Sequence, residues 1–114
     1  MTMLARWKSM AGGNGPPVTV ASAATVTLED KDSCNYVSGT TAITSLLVTN
    51  KALYNRKHTF IGASGASVAF TNTNSPTTAG QMYLHGQNRV IQEDDVIELF
   101  CKNDGTWILL NLVN

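Results

Sequence analysis

Two histidines are the residues that most readily suggest a metal site or acid–base chemistry. His58 and His85 lie in or beside predicted strands, and neither belongs to a His-x-x-x-His or Cys-x-x-Cys pair of the kind that binds zinc. We therefore predict no metal ligand and no cofactor site. A structural histidine is the simpler interpretation of both positions.

Four carboxylates are candidates for the pair of acids that glycoside hydrolysis requires. Glu93, Asp94 and Asp95 are consecutive, and Asp104 precedes a glycine at a predicted hairpin tip. Hydrolysis needs two carboxyl groups on either side of a bond at a defined separation, whereas three of these four share one turn. The acidic spacing of an EF-hand calcium loop is also missing. We predict solvated turn residues, no catalytic residues and no enzyme.

Composition limits the partners that this chain can have. It has 114 residues, a length typical of one domain, with 14% charged residues and a formal net charge of +0. So few charges give no case for nucleic acid, which binds through Lys and Arg. No apolar run approaches the roughly 18 residues of a membrane span, and the first residues lack the apolar core of a secretory signal. We expect a soluble protein in which Cys34 and Cys101 are both reduced.

The C-terminal residues predict the β-hairpin around which the body is organised. Asp104-Gly105 separates two apolar runs and is typical of a two-residue type I′ turn. In that register Lys102 faces Trp107, as a possible cation–π pair. A three-residue loop would set Glu98 against Leu110, so the two-residue loop is favoured. One face is then apolar throughout and belongs to the core: Ile97, Leu99, Cys101, Ile108, Leu110 and Leu112.

The second face of this hairpin is also too apolar to lie in water. Charged and polar side chains occupy only part of it, and aromatic residues are enriched where protein surfaces bury each other. We predict that its apolar residues form a subunit interface. They are Val96, Phe100, Trp107, Leu109 and Val113.

The rest of the body reads as short strands with turn residues between them and no helical periodicity. The predicted strands cover residues 18–20, 24–28, 36–37, 41–48, 58–61, 66–70, 82–84 and 89–91. A glycine-containing turn at 62–65 suggests a hairpin, and Leu53 and Tyr54 are expected to turn back onto the core. The pattern predicts an all-β fold, a small β-sandwich or jelly-roll-like domain over residues 18–114. A stacked β-solenoid is the alternative, although no fixed-period repeat is present.

Residues 1–17 differ from the body and form an extended N-terminal arm with a Gly/Pro linker. The first 11 residues are too short for a stable isolated helix, and the glycines and prolines that follow exclude a regular element. Two interpretations stay open, a frayed terminus or an arm that docks on a partner. Docking would use an aromatic anchor with basic flanks, formed by Leu4, Arg6, Trp7 and Lys8.

Four segments taken together resemble a module of tailed bacteriophages. They are TVTLED at 25–30, NYVSGTTAITSLL at 35–47, HTFIGASGASVAF at 58–70 and MYLHGQNRVIQEDDVIELFCKNDGTWILL at 82–110. The likeness lies in a V-G-T-T-x-I-T-S type strand, a T-F-x-F type strand, an L-x-x-x-G-N segment and a D-G-x-W turn, in that order. Similar modules occur in capsid decoration (cement) proteins and in tail-fibre or spike proteins.

The resemblance implies a structural protein of the virion. On this view the chain is made in the bacterial host cytoplasm, lies on the capsid surface, binds the major capsid protein and forms a homo-oligomer, with a trimer favoured. The alternative is a tail-fibre or spike component that binds a host surface glycan through the polar loop at 71–78.

Overall fold

The computed structural model describes residues 18–29 and 34–114, which form ten β-strands and a single 3-10 turn (Lys51–Leu53). The predicted all-β class is confirmed, and this part of the chain contains no α-helix. The strands are β1 (Val18–Ala21), β2 (Thr25–Leu28), β3 (Cys34–Ser38), β4 (Ser45–Val48), β5 (Arg56–Gly62), β6 (Ser67–Phe70), β7 (Met82–Tyr83), β8 (Arg89–Gln92), β9 (Val96–Cys101) and β10 (Trp107–Val113).

Six strands form one mixed sheet in the order β1-β3-β5-β9-β10-β7, called here the large sheet. Two small sheets, β2-β4 and β6-β8, have two strands each. The pairs β1–β3, β3–β5, β2–β4 and β7–β10 are parallel, and the pairs β5–β9, β9–β10 and β6–β8 are antiparallel. A jelly roll is built from antiparallel strands, so these largely parallel sheets are not clearly a jelly roll.

The first half of the chain winds through stacked coils. β1, β3 and β5 lie side by side in the large sheet, while β2 and β4 lie side by side in a small one. A parallel bridge between Ile43 and Phe70 adds β6 to this stack. The arrangement is that of a short solenoid, in which each coil contacts its neighbours. Coil length varies, because Val18 pairs with Asn35 but Cys34 pairs with Thr59, and this hides the stacking from a search for a fixed period.

The predicted hairpin at 62–65 is wrong. A turn is present, since the Ala66 amide donates to the Ala63 carbonyl at 3.0 Å and Gly65 has a φ of 73°. The strands on either side do not pair with each other: β5 pairs with β3 and β9, and β6 pairs with β8. The turn therefore carries the chain from the large sheet to a small one.

β9 and β10 form the predicted C-terminal hairpin, but with a three-residue loop. The Gly105 amide donates to the Lys102 carbonyl at 3.0 Å, and the Lys102 amide donates to the Thr106 carbonyl at 2.7 Å. Gly105 has a φ of 82°, whereas Asp104 is not in the left-handed region. A type I turn followed by a left-handed glycine is the usual three-residue loop. The predicted pairing of Lys102 with Trp107 is therefore wrong.

A bulge at Leu110 compensates for the longer loop. Leu109 pairs with Leu99 and Asn111 pairs with Glu98, so Leu110 has no partner on β9. The clash of Glu98 with Leu110 that disfavoured this loop in the sequence is thus avoided. From Asn111 onward the register is the predicted one.

The loop and the bulge together exchange the two faces of β10 in its first half. Trp107 and Leu109 point into the core, with 1% and 8% of their surface exposed. Ile108 is half-buried and Leu110 is 52% exposed, so their predicted place on the core face is wrong. β9 follows the prediction, since Ile97, Leu99 and Cys101 are fully buried.

The core lies between one face of the large sheet, called the inner face, and the two small sheets. Its largest side chains are Trp107, Phe60 and Phe70, whose rings contact one another at tilted or edge-on angles. Leu53 is buried and Tyr54 packs against the core, as predicted.

Cys34 and Cys101 are buried thiols, and no disulfide joins them. Cys101 lies on the inner face of the large sheet, on the same side of β9 as Ile97 and Leu99. Cys34 pairs with Thr59, and Thr59 pairs with Glu98, so Cys34 lies on the face opposite the core. The large sheet therefore separates the two sulfur atoms. Burial raises the pKa of the Cys101 thiol to about 11.

Candidate interaction surface

The outer face of the large sheet, opposite the core, carries an apolar patch on β9 and β10. On β9 the outward residues alternate with the buried ones and are half-buried. On β10 Leu110 and Val113 are 52% and 53% exposed. We call the following set the outer patch: Val96, Phe100, Ile108, Leu110 and Val113.

The outer patch contains three of the five residues predicted to form a subunit interface, namely Val96, Phe100 and Val113. The other two, Trp107 and Leu109, lie in the core because the three-residue loop turns them inward. Ile108 and Leu110 take their places. The sequence does contain the signal for this exchange, since Asn-Asp-Gly fits a three-residue loop as well as a two-residue one. That the surface joins subunits stays a prediction.

The acidic residue beside the outer patch, Glu98, is paired with a lysine of the same sheet. Glu98 lies between Val96 and Phe100 along β9, and its Oε2 is 3.1 Å from the Nζ of Lys57 on β5. The Lys57 side chain is 54% exposed, so the ion pair adds little stability. The pair does mean that Glu98 is not an unpaired acid beside the outer patch.

Trp107 fixes the hairpin to the core behind the patch. Its Nε1 donates to the Leu46 carbonyl at 2.8 Å, and this bond links the large sheet to a small one. The indole ring also lies edge-on to His58, with 5.1 Å between ring centroids. The outer patch is therefore displayed on a firmly anchored strand pair.

His58 has the environment of a structural core residue. It is fully buried, its Nε2 lies 3.0 Å from the Leu53 carbonyl, and its Nδ1 has no partner among the described residues. Burial lowers the pKa of His58, because the charged form loses its hydration. It therefore stays neutral at physiological pH.

His85 lies in a turn at the end of β7. Its φ is 60°, its Nε2 is 2.9 Å from the Leu109 carbonyl, and its ring meets Tyr83 edge-on at 5.0 Å. Within residues 18–29 and 34–114, no group of three His, Cys, Asp or Glu side chains could hold a metal ion.

The acidic residues serve as hydrogen-bond acceptors in turns. Glu93 accepts from the Gly65 amide at 2.9 Å, and Asp95 accepts from the Gln92 amide at 2.8 Å. Asp104 accepts from the hydroxyl and the amide of Thr106, and these two bonds lower the pKa of its carboxyl. The carboxylates of Glu93, Asp95 and Asp104 thus shape the backbone of turns, and Asp94 lies beside the first two with a φ of 67°.

The predicted arm contacts, Leu4, Arg6, Trp7 and Lys8, lie outside the described residues. In the described ranges no helix is long and apolar enough to cross a membrane.

No protein-family model matches this chain, and neither a curated protein nor a solved structure resembles it significantly.

Proposed function

We propose that this chain is a capsid decoration (cement) protein of a tailed bacteriophage. It binds the outer surface of the capsid and stabilises the shell by bridging neighbouring major capsid subunits. The observation that supports this most is the outer patch. Its side chains are apolar, Leu110 and Val113 are exposed, and the neighbouring Glu98 is paired with Lys57. Apolar side chains grouped on the exposed face of a small domain are typical of a protein–protein contact.

The proposed assembly is a homotrimer, and it works without catalysis, cofactor or nucleic acid. The outer patch of each protomer contacts the neighbouring protomer. A threefold rotation between neighbours closes these contacts into a ring. The arm residues Leu4, Arg6, Trp7 and Lys8 bind the major capsid protein. Three linked arms bind more tightly than one, because the second and third contacts are intramolecular.

The role of the arm is tested by deleting residues 1–13 and measuring occupancy on purified capsids. The truncated protein should lose binding while its far-UV circular dichroism and thermal midpoint stay unchanged. Undiminished occupancy with the truncated protein would exclude the arm as the capsid contact.

The role of the outer patch is tested with the double variant Leu110→Ser, Val113→Ser. Light scattering after size exclusion of dilute protein should give the mass of a monomer, where the unaltered chain gives a trimer. Val90→Ser is the matched control, since Val90 is 47% exposed but lies on β8 in a small sheet. An equal mass for all three proteins would show that the patch does not join subunits.

The stacked coils support a second candidate, a tail-fibre or spike component that binds a host surface glycan. A solenoid grows along one axis, as an elongated fibre does. The loop beside it exposes amide groups that suit sugar hydroxyls, such as Asn74, whose Oδ1 accepts from the Asn72 side chain at 2.8 Å. Immunogold labelling of intact virions separates the candidates: label around the head supports a cement protein, and label at the tail supports a fibre.

A further inference from the structure

One edge of the large sheet ends at β1, a strand with no charged residue. Among the described strands β1 comes first in the order, and it pairs with β3 on its other side. Natural edge strands are usually protected by charges, proline, bulges or a covering segment, because an open edge templates pairing with another chain. The β1 sequence Val-Thr-Val-Ala has none of the first three, and Val18 is 42% exposed.

The core also opens to solvent beside β1. A groove of about 510 Å³ runs along the strand, and Glu29 is the one ionisable residue among the described residues of its wall. Val20, on the inner side of β1, packs against the core next to Val37. Within residues 18–29 and 34–114 the stack of coils thus ends in an apolar coil, whereas solenoids normally end in a polar capping unit. The groove is lined by Val18, Thr19, Val20, Ala21, Thr27, Glu29 and Asn35.

We propose that β1 is a strand-addition site for a second copy of this chain, with the two β1 strands antiparallel about a twofold axis. The proposal does not rest on the proposed function. A second copy suits this edge because the strand is uncharged and self-complementary, so two copies meet without repulsion.

Side-chain alternation selects the register of this pairing. Val18 and Val20 lie on the inner side of β1 and Thr19 on the outer side, since paired residues share a face. An axis at Thr19 sets Val18 against Val20 of the second copy and Thr19 against its equivalent, which are favourable cross-strand pairs. An axis at Val20 would instead set Val18 against Ser22. The first register brings the open ends of the two cores together and covers both grooves.

The contact is small, and this fixes its expected strength. Stable dimers bury roughly 1,200–2,000 Å², more than a four-residue strand pair provides. We expect reversible dimers with a dissociation constant on the order of micromolar or weaker.

Disulfide trapping tests the register directly. In Thr19→Cys the two new thiols face each other across the axis, at the separation of an antiparallel pair, which a disulfide can span. Thr77→Cys, at an exposed loop position outside the large sheet, is the matched control. Oxidation of the full chain should give covalent dimer roughly ten-fold faster for Thr19→Cys than for Thr77→Cys. Equal rates would overturn the proposal.

A charge pair gives a second and independent test. Thr19→Glu and Thr19→Lys should each weaken dimerisation by about ten-fold or more in sedimentation velocity, because like charges then meet at the axis. An equimolar mixture of the two should restore the dimer. A mixture that sediments as each variant does alone would refute the pairing. Repeating the runs with Leu110→Ser, Val113→Ser added keeps any association through the outer patch out of the measurement.

Discussion

The hairpin register makes opposite predictions for Trp107 and Leu110, and stability measurements distinguish them. In the structure Trp107 is buried and donates a hydrogen bond, while Leu110 is a bulge residue in solvent. With a two-residue loop their positions would be exchanged. We predict that Trp107→Phe is much more destabilising than Leu110→Ala.

The size of the difference follows from the contacts. Phenylalanine at 107 leaves the Leu46 carbonyl buried without its donor, which costs about 1–3 kcal/mol. The smaller ring leaves a cavity that adds roughly 1 kcal/mol. Trp107→Phe should therefore lower the free energy of unfolding by about 2–4 kcal/mol. Leu110→Ala should change it by less than about 0.5 kcal/mol, as expected for an exposed position.

Urea unfolding followed by far-UV circular dichroism measures both values. The protein is kept dilute so that association does not add to its stability. If Leu110→Ala costs more than Trp107→Phe, the two-residue register holds and the outer patch described above is wrong. In that register Leu110→Ala would empty a core site, at about 2–5 kcal/mol.

Three further predictions concern single residues. Gly62→Ala should destabilise by about 3 kcal/mol or prevent folding, because its Cβ would lie 1.8 Å from the Gln92 carbonyl oxygen. Gly65→Ala, in open space with a φ of 73°, should cost only about 1–2 kcal/mol, and thermal melts compare the two. Burial lowers the pKa of His58 below its unfolded value of about 6.5, so the unfolded chain binds the extra proton and stability should fall as pH drops below that value. His58→Gln should flatten that part of the urea-midpoint profile between pH 7.5 and 5, and an unchanged slope would contradict the assignment. In Cys34→Ser, where Cys101 is the remaining thiol, Cys101 with its pKa raised to about 11 should react with Ellman's reagent only after unfolding, and rapid reaction of the folded variant would show that Cys101 is accessible.

The sequence predicts local features of this fold well. Alternation of Val and Thr with small residues marks the strands, and the far half of the C-terminal hairpin has the predicted register. Leu53 and Tyr54 return to the core as expected, because apolar residues in a polar connection have nowhere else to be buried. These features depend on neighbours within a few residues.

The long-range arrangement was not predictable in the same way. Parallel stacking of β1, β3 and β5 joins residues that are far apart in the chain and leaves no fixed period. Asp104-Gly105 is compatible with two loops of different length, and only the bulge at Leu110 makes the longer one acceptable. A one-residue error there moves Trp107 and Leu109 from one face to the other. Two of the five residues predicted for the outward face of this hairpin therefore lie in the core, and the role of that face stays a prediction.

The position of β10 has a kinetic consequence. This strand comes after the other nine described strands, yet it lies inside the large sheet, between β9 and β7. β10 must therefore emerge from the ribosome before the sheet can close, and until then the edge of β9 that pairs with β10 is open. Pairings between distant segments form slowly, so the nascent chain passes through an aggregation-prone interval. Its yield in an expression host should then depend more on chaperones and on lowered temperature than on the stability of the finished protein.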